Sequence, residues 1–82
     1  MPTITIYLKD NCPLCDEALS ILNLLRSDYS FEVEKWDIET NDDWLERYQL
    51  QIPVVIINGA AFNGSQISYE ALERALSAFE AK

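Results

Sequence analysis

Two cysteines three positions apart, Cys12 and Cys15, offer the most direct chemistry in this chain. Pro13 between them suits the first position of a helix, where its missing N–H costs no hydrogen bond. Residues three apart at a helix start lie on one face, so the two sulfurs can form a disulfide bond. Backbone N–H groups and the helix dipole there stabilise a thiolate, the form that attacks disulfides. The spacing therefore predicts thiol–disulfide exchange, with Cys12 attacking and Cys15 resolving the mixed disulfide.

The absence of histidine from the sequence removes most competing mechanisms. Ser–His and Cys–His nucleophile pairs are excluded, as is any His-ligated metal. A closed zinc site needs about four ligands, so one chain with two cysteines would have to recruit carboxylates. We expect no metal ligand and no bound cofactor within one chain. Two alternatives to redox chemistry stay open: a metal shared between the cysteine pairs of two chains, and a redox-silent interaction domain.

The net charge of the chain argues against two classes of binding partner. The 82 residues include fourteen acidic and six basic side chains, a net charge of −8. This argues against nucleic acid, because phosphate binding needs clustered Lys and Arg, and against anionic membrane surfaces. The longest apolar run, Val54–Ile57, is too short to span a bilayer, and the first residues lack the features of a signal peptide. We expect one domain over residues 1–82, a cytoplasmic location and a monomer.

A strand, a helix and a second strand open the chain, and the cysteine pair lies at their first junction. Residues 3–8 alternate between polar and apolar, as a half-buried strand does. Apolar residues recur at helical spacing and predict a helix over about residues 13–27. Residues 30–38 mix large apolar residues with charges. They predict a second strand, with a slight irregularity near Lys35 and Trp36.

The pattern in the second half of the chain predicts a helix, a β-hairpin and a last helix. Capping oxygens and acidic residues at Thr40–Asp43 predict the start of a short helix. The β-branched run Val54–Asn58 indicates a strand buried on both faces. Asn58–Gly59 is a strong hairpin-turn dipeptide, so residues 60–62 are expected to return antiparallel. Ser68 is a suitable cap for the last helix, which has one apolar stripe.

These elements predict an α/β fold in the order β-α-β-α-β-β-α. The opening β-α-β unit favours a parallel pair with a right-handed crossover, and the hairpin adds two antiparallel strands. The expected result is a four-stranded mixed sheet flanked by helices. Because a small domain needs large side chains to build its core, we expect Trp36 and Trp44 to be partly packed into it.

Several short motifs are spaced over nearly the whole chain in a pattern shared with a known family. They are Lys9–Cys15, Trp36–Ile38, Tyr48–Val55, Asn58–Gly59 and Asn63–Gly64. Together they resemble the glutaredoxin family of the thioredoxin fold. The run Cys12–Ala18 is most similar to short bacterial glutaredoxin-like proteins with a C-x-L-C motif. The resemblance implies a thioredoxin-like fold, a dithiol disulfide reductase and a cis Ile52–Pro53 bond beside the cysteine pair.

The resemblance also implies a site for a substrate or for glutathione. It would comprise Lys9, Pro13, Leu14, Ile52, Pro53, Gly64 and Ser65. Lys9 matches a lysine that meets a glutathione carboxylate, and Ile52 matches a backbone segment that pairs with an extended peptide. Leu14 departs from the family by replacing a tyrosine, and Asn63 replaces the first glycine of a turn. Gln66 or Ser65 stands near the position of an acidic or hydroxyl residue of the family.

Partners follow from the same resemblance. The substrate would be a disulfide-bearing protein or small molecule, and glutathione is a possible co-substrate. Electrons would come from glutathione or from a thioredoxin-reductase-like flavoprotein. Since some glutaredoxins bind an iron–sulfur cluster, the resemblance extends the metal alternative to a cluster shared between two chains.

Overall fold

Within residues 2–80, which the computed structural model describes, helices flank a four-stranded sheet in the predicted order β-α-β-α-β-β-α. The elements are β1 (Thr3–Leu8), α1 (Pro13–Leu25), β2 (Glu32–Asp37), α2 (Asp42–Tyr48), β3 (Val54–Ile57), β4 (Ala60–Phe62) and α3 (Tyr69–Glu80). A short 3-10 turn, Ile38–Thr40, which the sequence did not indicate, joins β2 to α2. The thioredoxin-like architecture predicted from the sequence is thereby confirmed.

Strand β1 lies inside the sheet, and its carboxyl end leads directly into the cysteine loop. The strand order is β2-β1-β3-β4. β1 pairs parallel with β2 across the α1 crossover and antiparallel with β3, which pairs antiparallel with β4. Pairing with β1 continues without interruption through Lys35 and Trp36, so the predicted irregularity there is wrong. Continuous pairing with β1 keeps β2 a regular strand despite its many charged side chains.

The main core lies between the sheet and the helices α1 and α3. The two-residue period of β1 places Ile4 and Ile6 on one face, and both are fully buried. Helix α1 meets them with Ala18, Leu22 and Leu25 at helical spacing, and α3 adds its own leucines. Each fully buried aliphatic side chain of this size contributes about 1.5–3 kcal/mol. This packing fixes the rotation of α1 and therefore the direction in which its first turn points.

An aromatic cluster packs on the opposite face of the sheet. Tyr7 of β1 stacks on Tyr48 of α2 with ring centroids 4.5 Å apart and contacts Trp44 edge-on at 5.7 Å. Trp36 meets Trp44 edge-on at 5.3 Å and stays 41% exposed. Such pairs are worth about 0.5–1.5 kcal/mol beyond their area. Trp44 is half-buried in this cluster, but Trp36 is an exposed residue, so the expected packing of Trp36 into the core is wrong.

The turns and caps follow their sequence signals. Asn58 and Gly59 have φ values of 49° and 84°, the left-handed pair that a two-residue hairpin turn requires. Asn41 Oδ1 accepts the Trp44 N–H at 3.2 Å, and Ser68 Oγ accepts the Ala71 N–H at 3.1 Å. These caps begin α2 and α3 where the sequence predicted them. In the part of the chain described, no helix has the length and apolar character needed to cross a bilayer.

Candidate active site

Cys12 occupies the N-cap of α1, immediately after the loop that leaves β1. Asn11 takes the left-handed conformation with φ of 55°, which asparagine tolerates better than most residues, and this turns the chain into the helix. The Cys15 N–H then donates to Cys12 Sγ at 3.2 Å, as it would to the oxygen of a conventional cap. Cys12 is half-buried, and its sulfur faces a backbone N–H donor at the positive end of the helix dipole.

Cys15 lies one turn deeper and is only 2% exposed. Burial raises the pKa of its thiol to about 11, and the hydrogen bond with the Cys12 sulfur acts in the same direction. A hydrogen bond from the backbone of Lys9 opposes the shift in part. The Cys15 thiol is therefore protonated at neutral pH. Both cysteines are free thiols in the structure, so the chain is described in its reduced form.

The backbone of Lys9 joins the site, whereas the role that the resemblance gives to its ammonium group stays a prediction. Its side chain is exposed in the loop after β1. Its backbone hydrogen-bonds Cys15, the inner thiol of the pair. This contact had no sequence signal, because it depends on how the end of β1 meets the first turn of α1.

The Ile52–Pro53 peptide is cis, as the resemblance implied, and Pro53 is buried. Backbone hydrogen bonds hold this segment to the end of α2 and to the turn after β4. The Ile52 N–H donates to the Tyr48 carbonyl at 3.0 Å, and the Gly64 N–H donates to the Gln51 carbonyl at 2.9 Å. A Cβ on Gly64 would lie 3.1 Å from the Ile52 carbonyl oxygen and 3.3 Å from Pro53 Cδ. A side chain at position 64 would therefore press on the backbone of Ile52 and Pro53, and glycine avoids this crowding.

Two grooves meet beside the cysteine pair, at Leu14 and Gly64. The α1 groove, of about 230 Å³, is lined by Leu14, Glu17, Ala18, Ile21, Pro53, Gly64, Ile67 and Ser68. The loop groove, of about 300 Å³, is lined by Leu14, Leu50, Gln51, Ile52, Asn63, Gly64 and Ser65. Leu14 lies between the two cysteines in the chain and is 56% exposed, so both grooves begin next to the thiols.

The grooves bring together five of the seven residues that the resemblance named for binding. They are Leu14, Ile52, Pro53, Gly64 and Ser65. Pro13 is exposed at the helix start and lines neither groove, as is true of Lys9. Sequence reasoning missed Glu17 and Ile21, although a spacing of three and seven from Leu14 places them on its helical face. Ile67 and Gln51 come from distant segments, and no local pattern marks them.

The turn at residues 63–66 closes one side of both grooves, and its backbone donors are used internally. Asn63 N–H donates to Gln66 Oε1 at 3.0 Å, and Ser65 N–H donates to Asn63 Oδ1 at 3.0 Å. Gln66 N–H donates to the Asn63 carbonyl at 2.9 Å, while Gly64 bonds to Gln51 as described. All four N–H groups of the turn thus have partners within the chain.

Among residues 2–80, the side chains of one chain do not form a set of metal ligands. Within residues 2–80, no three side chains of the His, Cys, Asp and Glu types converge as a metal site would need. Cys12 and Cys15 are the two thiols that the sequence provides. A metal at this point would therefore need ligands from a second chain or from a small thiol.

The chain matches one protein family and is similar in fold to several solved structures. The family described as "Glutaredoxin-like domain (DUF836)" matches residues 3–77. The structural genomics target protein XcR50 from X. campestris is 26% identical over 92% of this chain and 96% of its own, with a TM-score of 0.75. A mutant thioredoxin from Halobacterium salinarum NRC-1 is 18% identical over 94% of this chain and 73% of its own, with a TM-score of 0.69. The likeness to that thioredoxin shows a shared fold.

Proposed function

Because the chain belongs to the family of glutaredoxin-like domains (DUF836), we propose that it is a thiol–disulfide oxidoreductase that reduces disulfides through Cys12 and Cys15. One observation carries the proposal. The two sulfurs are unlike: Cys12 is only half-buried and its sulfur accepts a hydrogen bond from a backbone N–H at a helix start, whereas Cys15 is buried and protonated. This difference supports attack by Cys12 and resolution by Cys15.

The reaction proceeds in two exchanges. The Cys12 thiolate attacks one sulfur of the substrate disulfide, a new bond forms to Cys12 Sγ, the substrate S–S bond breaks, and one substrate thiolate leaves and takes a proton from water. Cys15 then loses its proton to water and attacks Cys12 Sγ, the S–S bond between Cys12 and the substrate breaks, and the second substrate thiolate leaves and takes a proton from water. Two electrons pass to the substrate, and the protein is left with a Cys12–Cys15 disulfide.

The cycle closes when a thiol donor reduces that disulfide by the reverse chemistry. Glutathione and a thioredoxin-reductase-like flavoprotein are the two donor classes that we propose, and the substrate is a disulfide-bearing protein or small molecule. We further propose that the protein acts as a monomer in the cytoplasm, where reducing thiols keep such a pair available.

Substitution of each cysteine separates the two steps. Reduced protein is mixed with a peptide disulfide, and the released thiol and any mixed disulfide are followed by mass spectrometry. Cys15→Ser is expected to complete the first exchange and accumulate a Cys12–substrate disulfide, whereas Cys12→Ser is expected to release no thiol. The pair should equilibrate with glutathione in the range of about −200 to −270 mV. Thiol release by Cys12→Ser at the wild-type rate would contradict the proposal, provided that circular dichroism shows both variants folded.

A further inference from the structure

We infer that the preferred substrate of this dithiol is a polypeptide disulfide with an apolar side chain and a basic side chain beside its cysteine, in preference to glutathione disulfide. The inference rests on the proposed exchange at Cys12 and Cys15. It concerns what the grooves next to those thiols can hold. Three features of the grooves carry it: their engaged hydrogen-bond donors, their apolar lining and the sign of their charge.

Five backbone N–H groups at this edge of the grooves, which could otherwise capture a carboxylate, already have partners in the chain. A carboxylate is held best by free backbone N–H groups or by Lys and Arg side chains. The N–H groups of Asn63, Ser65 and Gln66 are bonded within their own turn. Those of Ile52 and Gly64 are bonded to Tyr48 and Gln51. Binding an anion through any of these five N–H groups would therefore require breaking a contact that holds the turn or the cis-proline segment in place.

The negative charge around the grooves also disfavours glutathione disulfide as a substrate. Glu17 is the charged residue that lines the α1 groove, and within residues 2–80 neither groove is lined by Lys or Arg. Asp16 is exposed beside it, and the chain as a whole carries a net charge of −8. Glutathione has two carboxylates and one ammonium group, so this field opposes its approach, whereas it attracts a peptide with a basic side chain.

The lining of the α1 groove is suited to an apolar side chain. Leu14, Ile21, Pro53 and Ile67 present aliphatic carbon around a space of about 230 Å³. This is enough room for one leucine-sized side chain, and placing one there removes apolar surface of both partners from water. Glu17 shares the helical face of Leu14 and Ile21, so a basic residue next to the apolar one would come within its reach.

Single-turnover kinetics with matched disulfides tests the inference without any electron donor. The probes are the symmetrical disulfides of the capped peptides Gly-Cys-Leu-Lys-Gly, Gly-Cys-Ser-Lys-Gly and Gly-Cys-Leu-Glu-Gly, and glutathione disulfide. Each is mixed with reduced protein at low ionic strength. Each rate constant is divided by that of dithiothreitol with the same disulfide, which removes differences in intrinsic reactivity.

The corrected rate for the Leu-Lys probe is expected to exceed that for glutathione disulfide by about tenfold, since partial burial of one leucine accounts for a difference of that order. Replacing Leu by Ser in the probe should remove most of this advantage. Replacing Lys by Glu should slow the reaction about two- to fivefold, the scale of one solvent-exposed charge pair. Equal or faster corrected rates for glutathione disulfide would overturn the inference.

Charge reversal at Glu17 gives the matched test within the protein. Glu17→Lys should invert the preference between the Lys and Glu probes. Glu32→Lys makes the same change in net charge at an exposed position at the start of β2, at the end of the sheet away from the cysteine loop. This variant should keep the wild-type preference. An unchanged preference in Glu17→Lys would refute the role of the α1 groove. Failure of wild-type protein to reduce any probe would instead contradict the proposed function itself.

Discussion

The buried thiol of Cys15 predicts a specific loss of stability at alkaline pH. Its pKa is raised from the ordinary value of 9.0 to about 11 by burial and by the Cys12 sulfur. The unfolded chain releases this proton as the pH passes 9, whereas the native protein keeps it. Above pH 9 the unfolded state therefore binds fewer protons, and the free energy of unfolding falls as the pH rises. The contribution is fully present below pH 9 and is lost as the pH approaches 11.

The size of the effect follows from these two values. Each unit of difference in pKa corresponds to 1.36 kcal/mol of stability. About one of the two units takes effect between pH 8 and pH 10. The Cys15 thiol should therefore cost the native protein about 1 kcal/mol over that window. Other groups that titrate there, such as Tyr and Lys, add to the total loss. For this reason the test compares two proteins and not two pH values alone.

The assay is urea unfolding of wild type and Cys15→Ala at pH 8 and pH 10, with a phosphine reductant to keep the thiols reduced. Removal of the thiol lowers stability at both pH values because it leaves a small cavity. Only the difference between pH 8 and pH 10 is diagnostic, and it should be smaller in Cys15→Ala by about 1 kcal/mol. Cys15→Ser provides a second comparison that leaves less of a cavity. Equal pH differences in all three proteins would refute the assignment of a protonated, buried Cys15.

Two further predictions follow from the packing around the site. Gly64→Ala should lower the free energy of unfolding by about 1–2 kcal/mol, because its Cβ presses on the Ile52 carbonyl. Thermal unfolding measures this, and Ala61→Ser, at an exposed position in β4, should change the melting temperature little. Leu22→Ala should cost about 2–5 kcal/mol, because Leu22 is 1% exposed at the centre of the core. Urea unfolding measures it, and a cost below about 1 kcal/mol would contradict the buried placement.

Much of the fold could be predicted from the sequence, since its signals are local. Pro13 marks the start of α1, and Asn58–Gly59 marks the hairpin, because each restricts its own backbone dihedral angles. The alternation in β1 and the helical spacing in α1 identify the faces that become the core. The resemblance added the cis Ile52–Pro53 bond, which periodicity could not have indicated.

Other features depended on contacts between distant segments. The irregularity predicted at Lys35 and Trp36 is absent because β1 supplies continuous pairing partners. The contact of the Lys9 backbone with Cys15 and the bond from Gly64 to Gln51 join segments whose approach no local pattern reveals. The grooves have the same origin, since Leu14 and Ile67 meet only when α1 and the segment before α3 pack against each other.

The sequence by itself determined that two sulfurs stand at a helix start, one turn apart, since helical geometry needs only residues 12–15. Only the tertiary structure decided that these sulfurs differ. Burial of Cys15 comes from the packing of α1 onto the sheet, and burial raises the pKa of its thiol because water no longer solvates the charged form. The tertiary structure also decided that the Gly64 N–H is engaged, because its bond to the Gln51 carbonyl requires two distant segments to meet.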